Sequence, residues 1–326
     1  MVLKVVALGG GTGLPVVLRG LKRALAPGDS LIAIVSVTDD GGSSGRLRRA
    51  YNVLPMGDIR NCLVALSDNE PLMSQLFQYR YGGRNGLGGH ALGNLILTAL
   101  AKTCRSYLKA IETSGQVLAI RGRILPATLD NVILRARLAD GRSVRGESRI
   151  SMSKSPIVEV ATDPAWPDPA PGVLKAIREA DLIVLGPGSL FTSVMPHLLV
   201  RGVSRAIARS GAARILVGNL MTQPGETSGF SATDHLAALT RAAGPGLIDY
   251  YLASSRPLRR SLWKRYAREG ASPVRLSSQA IEASGVRCIT RDLAGDDPAM
   301  LKARHHEGKL SRALLAIAHR HFGRRS

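Results

Sequence analysis

The chain has 326 residues, 45% hydrophobic and only 4% aromatic, enough for a large core built from Leu, Val, Ile and Ala. No apolar run reaches the ~18 residues of a membrane span, and three scattered cysteines, Cys62, Cys104 and Cys288, exclude a disulfide framework and a Cys-x-x-Cys metal site, which fits a reducing cytoplasm. The net charge of +20 is uneven, with 16 Lys and Arg against 6 Asp and Glu in residues 256–326, yet no RNP-type aromatic motif or zinc-finger spacing accompanies it, which argues against nucleic acid and for solvated helix faces.

Met1–Leu8 has no basic leader and runs straight into glycines, so it reads as a buried first strand and not a signal peptide. Leu14, Val17, Leu18, Leu21 and Leu25 then share one helical face over 15–25, with Pro15 suited to a first turn. Leu31–Thr38 is almost continuously apolar, as a buried parallel strand should be. Asp58 can cap a helix through Ile59, Leu63 and Leu66, and 89–102 reads as another helix. Asp140-Gly141 between two β-like runs, 132–138 and 143–150, predicts a hairpin. A proline-dense stretch follows at 163–172, and we read roughly 113–172 as a β-rich insertion. Strand–loop–helix units resume at 181–185, 213–220 and 247–253, with Ser231 and Asp234 at nearly capping-box spacing. The repeated units predict a single α/β domain over 1–326. Its fold is a Rossmann-like, doubly wound, mostly parallel sheet. The apolar face of Leu310, Leu314, Leu315 and Ile317 packs the basic segment 256–326 onto that domain.

Gly9-Gly10-Gly11-Thr12-Gly13 lies between a buried strand and a helix. Glycines there let the backbone approach a phosphate, and a helix N-terminus offers free N–H groups to it. Leu14 holds the third glycine position of a dinucleotide fingerprint, and no Walker motif occurs. Gly186-Pro187-Gly188-Ser189 repeats the device in the second half, and Asn219, Thr222, Gln223 and Glu226 surround the following loop. In an open α/β sheet, ligands lie at the carboxyl ends of strands. Asp39 and Asp40 should therefore face the same cleft, one as a turn cap and one as a ligand to Mg²⁺, ribose or substrate. Ser43 and Ser44 sit in a flexible loop, Gly41–Gly45, that also matches the nucleophile-elbow string weakly. Arg60 and Asn61 can reach an anionic ligand, and His90 and Asn94 share a helical face that needs a polar partner. His305 and His306 lack metal-spaced companions and read as surface residues.

Six of these stretches together resemble one family: GGGTGLP (9–15), TDDGGSSGRLR (38–48), LPMGDIRNCL (54–63), GHALGN (89–94), LGPGSLFTS (185–193) and NLMTQPGET (219–227). They are similar to the bacterial gluconeogenesis factors of YvcK type, relatives of the 2-phospho-L-lactate transferase CofD. The resemblance implies a cytoplasmic protein that binds a UDP-sugar, UDP-N-acetylglucosamine in particular, and controls cell shape during gluconeogenic growth. It assigns the nucleotide to Gly10, Gly11, Thr12, Gly13, Gly186, Gly188 and Ser189. In the transferase relatives, the acids matching Asp39, Asp40 and Asp58 would serve catalysis, with Mg²⁺ at Asp39 and Asp40, a guanosine diphosphate-linked phospholactate donor and a deazaflavin acceptor. A homo-oligomer is compatible with all of this.

Overall fold

In β1 (Lys4–Gly9) every residue after Lys4 is buried, as a central parallel strand requires. Val5 and Ala7 enter one apolar cluster while Val6 and Leu8 enter another, so helices must cover both faces. The computed structural model describes residues 2–83, 86–295 and 302–323.

In chain order, β1 leads to α1 (Gly13–Ala24), β2 (Ser30–Val35), α2 (Gly42–Tyr51), α3 (Gly57–Leu66), α4 (Glu70–Gln78), α5 (Leu92–Cys104) and α6 (Tyr107–Val117). Next come β3 (Arg123–Pro126), β4 (Ile133–Leu138), β5 (Ser143–Arg145), α7 (Glu147–Ser151), β6 (Ile157–Asp163), α8 (Val173–Arg178) and β7 (Leu182–Leu185). A π-helical turn, Leu190–Val194, precedes α9 (Met195–Leu198), α10 (Val203–Arg209), β8 (Ala213–Val217), α11 (Ala232–Ala243) and β9 (Tyr250–Ser254). The chain then forms α12 (Arg260–Arg268), α13 (Ser278–Glu282), β10 (Arg287–Arg291) and α14 (Glu307–Phe322).

Seven strands form one sheet in the order β10-β9-β8-β7-β1-β2-β3, and every neighbouring pair is parallel. The winding reverses between β1 and β7, which pair from Val5↔Leu182 to Leu8↔Leu185. That reversal opens a crevice at the carboxyl ends of these two strands. It is where both glycine-rich loops emerge. The doubly wound, Rossmann-like α/β fold expected from the sequence is therefore present.

The hairpin at Asp140-Gly141 is also present, pairing β4 with β5, and β6 completes a three-stranded antiparallel sheet, β5-β4-β6. The insertion is narrower than 113–172, because β3 pairs with β2 in the main sheet and α6 occupies the start of that range. The capping box at α11 forms as the spacing suggested.

Two local expectations are corrected. Gly41–Gly45 is not a flexible loop, because α2 begins at Gly42. A Cβ at Gly45 would lie 1.8 Å from the Asp40 carbonyl oxygen, so glycine is what lets this turn close. His90 lies outside its helix, which starts at Leu92; its carbonyl instead accepts from the Tyr81 N–H at 3.1 Å. In α14, Leu310, Leu314 and Ile317 are buried in the cluster that holds Leu14, Val17 and Leu21 of α1. Arg312 and Arg320 of the same helix are exposed.

Candidate functional site

Gly10–Gly13, Gly188, Ser189, Asn219, Thr222 and Gln223 line one cavity of about 250 Å³ at the switch between β1 and β7. Gly11 holds φ +60, a left-handed conformation that favours glycine. Gly13 touches the second loop so closely that a Cβ would lie 2.0 Å from the Pro187 carbonyl oxygen. Gly186 stands behind the lining and sets the second turn at φ +70. Asn219 clamps Gly188 from both sides: its Oδ1 accepts the Gly188 N–H at 3.2 Å and its Nδ2 donates to the Gly188 carbonyl at 2.8 Å. Gln223 Nε2 donates to Ser189 Oγ at 2.7 Å. Thr222 is pinned from behind, accepting the Ser272 N–H at 2.9 Å. The N-terminus of α1 opens at this place with no side-chain cap and no acid in its first turn, so its free N–H groups and positive dipole end remain available to an anion.

The rest of the lining comes from residues that the sequence did not place at the cleft. Tyr266, Lys302, Ala303, Arg304 and His305 complete the lining. His305 is buried, 6% exposed, which corrects its assignment to the surface. Burial depresses its pKa to about 4, so the ring is neutral, and its Nε2 has no hydrogen-bond partner among the described residues. No spacing pattern in the sequence marks these positions, because their placement depends on β8 and α12.

A second group of side chains lies behind the first loop. Asp58 is in the first turn of α3, but Met56 is the N-cap; the Asp58 carboxylate accepts the Gly11 N–H at 2.7 Å instead. Burial raises its pKa to about 6, against the lowering effect of that hydrogen bond, with repulsion from Asp39 adding to the rise. Arg60 donates to Asn94 Oδ1 and to Asn61 Oδ1, each at 3.0 Å, and Asn61 Nδ2 reaches the Gly11 carbonyl at 3.4 Å. Asn94 Nδ2 also reaches Ser44 Oγ at 3.4 Å. Ser43 Oγ and His90 Nδ1 share a hydrogen bond at 3.1 Å. Arg60, Asn61, Asn94 and Ser44 thus form one chain of contacts tied to the glycine loop, with Ser43 and His90 beside it. The polar partners required by His90 and Asn94 are these serines and Arg60.

Asp39 and Asp40 diverge. Asp39 caps its own turn, accepting the Gly41 N–H at 2.9 Å. Asp40 turns to the insertion and accepts from Ser148 N–H at 2.9 Å and Ser148 Oγ at 2.8 Å. The cap role expected of one of the pair thus falls to Asp39, while Asp40 is engaged by the insertion; among the described residues no trio of His, Cys, Asp and Glu is arranged for a metal. Two further acids lie close by. Glu147 accepts from Thr38 Oγ1 at 2.9 Å, and burial, reinforced by Asp58 and Asp39, raises its pKa well above the usual range. Glu226 accepts from Thr192 and Ser151, each at 3.1 Å, and burial raises its pKa as well.

Among the described residues no helix is long and apolar enough to cross a membrane. Residues 5–294 match the family model of the 2-phospho-L-lactate transferase CofD. The chain is 44% identical to the gluconeogenesis factor of Halalkalibacterium halodurans over 95% of each protein. It is 45% identical to that of Bacillus subtilis over 88% of this chain and 89% of the relative. A crystal structure of a UPF0052-family protein from Bacillus halodurans superposes with a TM-score of 0.91 at 43% identity, covering 97% of this chain and 99% of the other. With the glycine loops at the switch point and this likeness along nearly the whole chain, the protein belongs to the CofD family, among the gluconeogenesis factors.

Proposed function

We propose that this protein binds a nucleotide sugar, UDP-N-acetylglucosamine or a close analogue, and acts in the cytoplasm as a regulator of gluconeogenic growth and cell shape. The observation that carries the reading is the cradle itself. An uncapped helix N-terminus and two glycine-rich loops face Lys302 and Arg304 across one cavity, an arrangement suited to a diphosphate. The unpartnered His305 Nε2 supplies a group that a bound ligand would satisfy. Gly10–Gly13, Gly188, Ser189, Asn219, Thr222 and Gln223 take the nucleotide. Ser43, Ser44, Arg60, Asn61, His90 and Asn94 shape the adjoining polar region.

The test is a calorimetric titration of UDP-N-acetylglucosamine into the wild type, Gly11→Val and Gly28→Val. Gly28 also holds a positive φ, +98, with nothing within 4 Å of a Cβ there, so it matches the backbone strain away from the cleft. Saturable binding that only Gly11→Val loses is expected. Equal affinity in all three, or no binding by the wild type, refutes the reading. A second reading, transfer of phospholactate from a nucleotide diphosphate to a deazaflavin, is favoured by one observation: Asp58, with its pKa near 6, can exchange a proton at neutral pH. Turnover of those substrates by the wild-type protein would replace the regulator with an enzyme.

A further inference from the structure

We propose that Glu226 is a positioning residue of the cleft, which fastens the loop after β8 to the π-helical turn after β7 so that Gln223 and Ser189 keep the separation a ligand needs. The inference rests on the reading that Ser189, Thr222 and Gln223 take a nucleotide. Glu226 does not itself line the cavity. It is 2% exposed, no cation among the described residues offsets its charge, and its Oε2 has no hydrogen-bond partner among them. Burying an acid in this way is costly, so what its other oxygen holds has to account for it.

That oxygen, Oε1, accepts from two hydroxyls, Thr192 Oγ1 and Ser151 Oγ, each at 3.1 Å. Thr192 lies in the buried π-helical turn Leu190–Val194 that follows Ser189. Its carbonyl accepts from Thr38 Oγ1 at 3.4 Å, so the turn is anchored in its own right to the chain beyond β2. Ser151 ends α7 of the insertion. Beside Glu226, Gly225 holds φ +83, and a Cβ there would lie 2.5 Å from the Ser151 carbonyl oxygen and 2.7 Å from that of Ser153. Two adjacent residues of the loop are thus seated on the insertion, and one of them is also tied to the π-helical turn.

The local fold of the loop does not need this carboxylate. The Gln223 carbonyl accepts from the N–H groups of Glu226 and Thr227 at 3.1 and 2.8 Å, and the Gln223 N–H donates to Thr227 Oγ1 at 2.9 Å. These bonds close the turn by themselves. What Glu226 adds is a tie between loops. Asn219 fixes the start of its loop at Gly188. Further along, Gln223 Nε2 donates to Ser189 Oγ at 2.7 Å on the cavity face, while the Glu226–Thr192 bond lies behind the lining. A ligand that engages Gln223 and Ser189 competes with the bond between them. The rear tie then keeps the loops in register, and loops held in place lose less freedom on binding.

The test titrates UDP-N-acetylglucosamine by calorimetry into the wild type, Glu226→Ala, Glu226→Gln, Thr192→Val and, as a destabilised control in α14, Leu314→Ala. Glu226→Ala should bind about tenfold more weakly or worse, and Thr192→Val about threefold more weakly. Glu226→Gln, whose Oε1 can accept the same two hydroxyls, should stay within about twofold of the wild type. Leu314→Ala should keep full affinity at a temperature where it is folded. Amide exchange of the free proteins reads the same tie without a ligand. The Gly188 N–H, held across the loops by Asn219 Oδ1 at 3.2 Å, should exchange faster in Glu226→Ala and Thr192→Val than in the wild type or Glu226→Gln. Wild-type affinity in Glu226→Ala and Thr192→Val, or Glu226→Gln as weak as Glu226→Ala, overturns the proposal, as does an equal loss in Leu314→Ala. If the wild type binds no nucleotide sugar, the function proposed above falls and exchange alone decides this inference, unchanged rates overturning it. Should Glu226→Ala not fold, Thr192→Val and Glu226→Gln carry the comparison.

Discussion

Replacing Asp58 by asparagine should change how the stability of the ligand-free protein depends on pH. The carboxyl group is raised from 3.8 to about 6 in the folded protein, so between those values the native state holds a proton that the unfolded chain has lost. The sign follows: the stability tied to this group is complete below the unfolded pKa and declines as pH climbs through about 6. At 1.36 kcal/mol per pKa unit the decline amounts to about 3 kcal/mol by neutral pH, somewhat less where water enters the cleft. The amide of the variant carries no charge, and its Oδ1 can still accept the Gly11 N–H that Asp58 accepts at 2.7 Å. Urea titrations of both proteins from about pH 4 to pH 8 should therefore diverge, the variant gaining up to about 3 kcal/mol on the wild type as pH rises. Parallel pH profiles would refute the buried-acid account. A variant destabilised at neutral pH would show that the Gly11 hydrogen bond to a charged carboxylate outweighs the desolvation.

Asp40→Ala leaves the two Ser148 donors unpaired and should cost about 1–3 kcal/mol of stability in chemical denaturation, while calorimetry shows unchanged nucleotide-sugar affinity; a matching loss of affinity would return Asp40 to the ligand. Arg304→Ala removes a cation from the cavity wall and should weaken UDP-N-acetylglucosamine binding by roughly tenfold or more, with a shallower salt dependence. Leu314→Ala, which empties a fully buried site on α14, should destabilise by about 2–5 kcal/mol. Titrated with labelled duplex DNA at two salt concentrations, the +20 chain should bind only weakly and lose the DNA at physiological salt; sequence-selective binding that survives such salt would make the basic end an interaction surface.

Much of the architecture could be read from the chain because consecutive apolar runs such as Val5–Leu8 and Leu182–Leu185 have no meaning outside a covered parallel sheet. The glycine loops were legible for the same reason, each following such a run. β10 was not, because its burial pattern is exposed at both ends with Arg287 and Arg291 there and it lies at the sheet edge. For Asp39 and Asp40 the sequence suggested a cap and a second role; Asp39 does cap its turn at Gly41, but the Ser148 partner of Asp40 comes from the distant insertion and has no local signal. His305 was hidden because its surroundings come from parts of the chain far away in sequence, and nothing local distinguishes it from His306, which faces solvent and accepts the Lys309 N–H at 3.3 Å.

The cleft joins the earliest loop, Gly10–Gly13, to some of the last described residues, Lys302–His305. The two walls are therefore separated in sequence by most of the described residues. A nascent chain that has already wound β1, β2 and β7 into place presents half of the cradle and none of its cations. On the proposed reading the cleft needs both walls, so a ligand held there would stabilise by mass action the molecules in which the two have met.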